Sequence, residues 1–125
     1  MVTVSIKDEY IEVLSALGDL QESMDLALKQ YTLDKIALKI AELRQRDIKY
    51  QEKYQLDYST FCQQIYEDED FIKQVENLVS KTWEIDLADW EFCHQGVEDW
   101  IQKLQTILLT FLTLSTVKYP QNGIM

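Results

Sequence analysis

Met1-Val2-Thr3-Val4-Ser5-Ile6-Lys7 opens the chain in strict alternation: Val2, Val4 and Ile6 on one side, Thr3, Ser5 and Lys7 on the other. That period of two predicts a short strand with one apolar and one hydrogen-bonding face. A strand so short leaves its edge groups unpaired and needs a partner. No second run of this quality lies nearby, so the simplest partner is the same strand of a second copy. An antiparallel two-stranded ribbon backed by helices fits the major groove of DNA.

Two helical patterns follow. Tyr10, Val13, Leu14 and Leu17 sit at i, i+3, i+4 and i+7, which predicts a helix from about Asp8 to Leu17 with Asp8 and Glu9 in its first turn. Gly18 suits a left-handed helix C-cap, and Asp19 with Glu22 has capping-box spacing for the next helix. Leu20, Met24, Ala27, Leu28 and Tyr31 form that helix's stripe. The plain alternative is a helical hairpin with a frayed start.

The stretch VTVSIKDEYIEVLSALGDLQESMDLALKQY, residues 2–31, resembles the ribbon-helix-helix family. That resemblance implies a dimer whose strand residues Thr3, Ser5 and Lys7 read base edges in operator DNA, with the loop at Gly18-Asp19 near a phosphate. The weakly basic strand departs from family members that carry Arg, Asn or Gln there. Further along, Glu52-Lys53-Tyr54-Gln55-Leu56-Asp57-Tyr58-Ser59-Thr60-Phe61 and Asp86-Leu87-Ala88-Asp89-Trp90-Glu91 look like the C-terminal regions of small prokaryotic antitoxins, with Gln55 where glycine is usual. Together the two resemblances imply a type II toxin-antitoxin system antitoxin. Such a protein is a dimer that represses its own operon and neutralises a basic toxin encoded nearby.

Composition frames these readings. The chain has 125 residues, 46% of them hydrophobic, with only three Gly and one Pro, which favours long helices over a turn-rich β fold. The fold class expected is mainly α, with the short N-terminal β-strand forming an intermolecular ribbon ahead of a helical C-terminal region. Residues 1–31 are the dimerisation and DNA-binding module, 32–56 a connecting helix, 57–117 an acidic helical partner-binding region and 118–125 a flexible tail. Residues 1–50 carry a net charge of −2 and residues 51–125 one of −8. That imbalance suits a basic protein partner for the second half, although a charge excess also serves plain solubility.

Past Tyr31 the apolar phase shifts. Leu33, Ile36, Ile40 and Leu43 have 3-4-3 spacing, and its continuation meets Asp47, Tyr50 and Tyr54, a polar fault that argues against a long coiled coil. A helix is expected from about Leu33 to Tyr54. Asp57 or Ser59 caps the next, and a helix from about Asp70 to Lys81 has the stripe Phe71, Val75, Leu78 and Val79. Acids at 67–70 lack the glycine and spaced oxygens of a calcium loop.

Trp83-Glu84-Ile85-Asp86-Leu87-Ala88-Asp89-Trp90 mixes large aromatics with carboxylates. It nominates Trp83 and Trp90 as partner anchors, with Glu84, Asp86 and Asp89 steering at the rim. The competing reading places the tryptophans in the core. A last helix takes Val97, Trp100, Ile101, Leu104, Ile107 and Leu108, and the segment 109–117 extends it or pairs as a strand.

Catalysis finds little support. His94 adjoins Cys93, but neighbours on a helix diverge by about 100°, and there is no phosphate loop. No enzyme activity, small-molecule substrate, cofactor or metal is expected. The longest apolar run, 107–114, is too short to span a bilayer. With no secretory signal, Cys62 and Cys93 are expected as reduced thiols in the cytoplasm.

Overall fold

The computed structural model describes residues 2–118, with side chains as far as Phe111. Five helices account for most of them: α1 Asp8–Leu17, α2 Leu20–Tyr54, α3 Tyr58–Glu67, α4 Glu69–Leu78 and α5 Trp83–Lys118. Contacts divide the chain into a unit ending at Lys35 and a larger one from Ile36 onward.

The expected strand is absent: no described residue belongs to one. Val2 and Val4 are 87% and 75% exposed, and Lys7 is extended (φ −65°, ψ 140°) before α1. Alternation makes a strand only when a ladder exists to satisfy its backbone, and the single chain offers none. The intermolecular ribbon is therefore corrected to an extended lead into α1. Gly18 is corrected as well: it is extended (φ 163°) rather than left-handed. Asp19 does cap α2, its Oδ2 accepting from the Glu22 backbone N–H at 3.0 Å.

No residue of α1 is buried. In the first unit Val2, Val4, Tyr10, Val13, Leu17, Leu28 and Tyr31 are all at least 59% exposed. The sequence stripe is real, but no packed core covers it.

The shift of apolar phase after Tyr31 does not end the helix. Gln30–Leu33 contains no Gly or Pro, so hydrogen bonding continues and α2 runs unbroken for 35 residues. The shift changes which face is apolar, and the boundary between the units falls just beyond it.

In the larger unit α2 and α5 run antiparallel. Lys53 pairs with Asp86, Tyr50 with Asp89 and Asp47 with Trp90, so residue numbers fall along one helix as they rise along the other. Ile36, Ile40, Leu43 and Tyr54 are buried on α2, facing a seam that includes Trp83, Trp90 and Cys93 of α5. Gly96 lets the Leu43 side chain approach closely. A Cβ there would lie 2.9 Å from Leu43 Cδ1, and Leu43 is itself only 2% exposed.

The helices α3 and α4 close the end of this pair. Asp57 caps α3 by accepting from Thr60 N at 2.7 Å, and Asp68 caps α4 from Asp70 N and Phe71 N. Between α2 and α3, Gln55 takes a left-handed conformation (φ 60°), strained for a residue with a Cβ. The α4 stripe needs correcting: Phe71, Ile72 and Val75 face inward, while Leu78 is 81% exposed. The main core joins Tyr54, Phe61, Val75, Trp83 and Trp90. The segment after 109 continues as helix to Lys118. The expected flexible tail lies, but for Lys118, outside the described residues.

Candidate functional site

The seam between α2 and α5 holds half of the residues singled out from the sequence. Trp90 is completely buried and Trp83 is 8% exposed. Tyr54 and Trp90 stack with ring centroids 5.8 Å apart, and Phe61 lies 5.4 Å from Trp90. Such offset and tilted ring pairs add to the gain from burial. The Trp90 indole N–H donates to Asp47 Oδ1 at 2.5 Å, and the other Asp47 oxygen lies 3.5 Å from His94 Nδ1. Tyr58 stacks on His94 with centroids 4.6 Å apart.

Two carboxylates from α5 complete the layer. Asp89 pairs with Arg46 and accepts from the Tyr50 hydroxyl at 2.6 Å. Asp86 Oδ2 accepts from Lys53 Nζ and from the Tyr54 hydroxyl, each at 2.6 Å. No buried side-chain polar atom among the described residues lacks a partner. Complete satisfaction of this kind rigidifies a polar layer and fixes register, since a slip along the helices would orphan several groups together.

Proton affinities follow from these contacts. The hydrogen bond to Asp89, with burial next, pushes Tyr50 up to about 12. Burial first and the Asp86 hydrogen bond second raise Tyr54. Burial also raises Tyr58, helped by its hydrogen bond to Cys62. Asp86 moves down: burial works against its charge, but the Lys53 and Tyr54 hydrogen bonds outweigh it. Burial pushes up the Cys93 thiol, with Asp89 adding to the effect, so the thiolate needed for nucleophilic chemistry is disfavoured there.

The eight residues singled out from sequence divide three ways. Trp83, Trp90, Asp86 and Asp89 come together, but they face inward. The tryptophans fill the core and the two aspartates hold cations and hydroxyls of α2, so their assignment as an exposed anchor and rim is corrected. Glu84 remains exposed on α5. Thr3, Ser5 and Lys7 are exposed but share no sheet face, for want of a strand.

Sequence reasoning missed the α2 half of the layer: Arg46, Asp47, Tyr50, Lys53 and Tyr54. The signal was present in the unbroken spacing 36-40-43-47-50-54. Its polar members match donors and acceptors on α5, so the seam continues through them. A shallow depression lined by Ile48, Gln51, Glu52, Gln55, Leu56 and Asp57 lies on α2 and the turn after it, and the Asp57 carboxylate there is already committed to capping α3.

Among the described residues no group of His, Cys, Asp and Glu is placed to hold a metal ion, and no helix is long and apolar enough to cross a membrane. No family model matches this chain, and neither a curated protein nor a solved structure is similar to it.

Proposed function

We propose that this chain is a helical protein–protein interaction module that self-associates through its N-terminal unit. The observation that carries the proposal is the open apolar surface of residues 2–31, set beside a larger unit with a satisfied core of its own. At roughly 80–100 Å² per side chain, the seven exposed residues offer on the order of 600 Å² of apolar surface. Half-buried Ile11, Leu14, Leu20 and Met24 add to it. A standard interface takes about 800 Å² per partner. Apolar surface on this scale stands at the upper end of what a monomer ordinarily leaves open, and a two-fold pairing with a second copy is the commonest way to cover it.

Light scattering at micromolar concentration tests this. The wild type is expected at dimer mass. Leu17→Glu combined with Leu28→Glu places two charges in the interface and is expected to yield monomer, weakening association roughly 100-fold or more. Both leucines are exposed in the single chain, so helicity and the melt of the larger unit should be retained. A monomeric wild type would sink the self-association.

The acid excess favours a second, narrower reading, an antitoxin that neutralises a basic toxin. Residues 51–125 carry −8, which would steer a cationic partner. Coexpression with the products of adjacent genes tests it: a small basic neighbour should copurify and lose its toxicity. A neighbour that stays toxic and separates on purification ends this reading. Its operator-binding part is not carried forward, because Val2–Lys7 forms no ribbon.

A further inference from the structure

On the side of α5 turned away from the core, Glu84, Glu91 and Glu98 recur every seven residues, and beside them Ile85, Phe92 and Asp99 do the same. Residues seven apart drift by only about 20° on a straight helix, so each set makes a continuous row; the two rows lie about 100° apart and together form a broad stripe on the outward side. All six are exposed, Ile85 at 69% and Phe92 at 63%. The stripe is thus a row of three glutamates beside a row of two apolar side chains continued by Asp99.

None of the four carboxylates forms an ion pair among the described residues. The Arg46 guanidinium lies 5.9 Å from the Phe92 ring centroid and is already paired with Asp89. The acids of this stripe therefore differ from Asp86 and Asp89, whose charges are met inside the seam.

We propose that this stripe docks a basic amphipathic helix of a protein partner, with Ile85 and Phe92 packing against its apolar side chains and Glu84, Glu91, Glu98 and Asp99 against its Lys and Arg. Charge complementarity selects this occupant. Nucleic acids and anionic membrane surfaces are repelled by four carboxylates, and an acidic helix is repelled equally. An apolar row flanked by a row of glutamates takes apolar side chains on one and cations on the other. The inference extends the interaction-module reading to a second surface, distinct from residues 2–31.

Fluorescence anisotropy on the full-length protein tests it, using a labelled 20-residue leucine–lysine amphipathic peptide as probe and its leucine–glutamate counterpart as control. The lysine peptide is expected to bind and the glutamate peptide not to. Ile85→Ala with Phe92→Ala should weaken binding about tenfold or more, mainly by faster dissociation. Glu91→Lys with Glu98→Lys should slow association and flatten its salt dependence. Glu67→Lys with Asp70→Lys, which changes net charge equally but elsewhere, should leave binding nearly unchanged. Equal weakening by the two charge reversals would show attraction to overall charge and overturn the site. So would an unchanged affinity in the Ile85 and Phe92 variant. Molecular mass in light scattering reports the N-terminal self-association separately, so either surface can fail without the other.

Discussion

Trp90→Ala is expected to remove most of the stability of the larger unit. The side chain is completely buried, stacks with Tyr54 and lies against Phe61. Truncating a buried tryptophan typically costs about 3–5 kcal/mol, through lost transfer energy and the cavity left behind. The loss of the indole N–H also deprives Asp47 of a donor, a further cost of about 1–3 kcal/mol for a part-buried acceptor. Set against total stabilities of about 5–15 kcal/mol, the variant should be largely unfolded at ambient temperature or melt without a sharp transition. Trp90→Phe keeps the packed ring and should lose less, chiefly the Asp47 hydrogen bond. Urea melts followed by circular dichroism decide the matter. An alanine variant within about 1 kcal/mol of wild type would remove Trp90 from the core and restore it as a candidate for partner binding.

A steep fall in stability at alkaline pH is the second large effect. Tyr50 loses its proton near its ordinary value of 10 in the unfolded chain, but only near 12 in the fold, because the neutral hydroxyl donates to Asp89. A group whose folded value is raised contributes stability that is fully present below the unfolded value and is lost as pH climbs through the folded one. The window is therefore pH 10 to about 12. Two units correspond to about 2.7 kcal/mol, and discounting for partial solvent access leaves about 1–2 kcal/mol for Tyr50. Tyr54 and Tyr58 are raised as well and push in the same direction. Denaturant melts across this window, read beside tyrosinate absorbance, should show stability falling before the fold is lost. Tyr50→Phe should flatten the slope. A wild type equally stable at both ends of the window would contradict the hydroxyl–carboxylate layer. At the acid end the sign reverses: the lowered Asp86 contributes above the ordinary carboxylate range and its contribution fades as pH drops.

Asp19 and Asp57 show how local signals survive into the structure. A side-chain oxygen followed by free backbone N–H groups makes a helix start whatever surrounds it, so the caps and the runs between them lie close to where the sequence puts them. The N-terminal alternation of Val2, Val4 and Ile6 shows the opposite case. A strand is a property of two backbones, and periodicity in one segment carries no information about whether the other exists in the chain. Tyr31 shows a third: a change of apolar phase can be read as a break, yet without Gly or Pro nothing interrupts the i to i−4 bonds, so α2 simply turns a different face inward.

The acid–aromatic cluster was visible, but its orientation was not. Glu84, Asp86, Asp89 and Glu91 look alike in the sequence, and acids beside tryptophans suit an interface or a core equally well. What separated them was the opposing helix. Asp86 and Asp89 face Lys53, Tyr54, Arg46 and Tyr50, while Glu84 and Glu91 face away.

The sequence by itself determined that this protein is mainly helical, where Asp19 and Asp57 start their helices, and which apolar stripe each long helix carries, because those depend on backbone bonding within a few residues. Only the tertiary structure decided that Asp47, Tyr50 and Tyr54 continue the seam, that Trp83 and Trp90 are core, and that the free acids lie on the far side of α5. Those outcomes depend on which groups from distant parts of the chain meet, since a polar residue at a seam is a fault or a fastening according to whether its partner stands opposite.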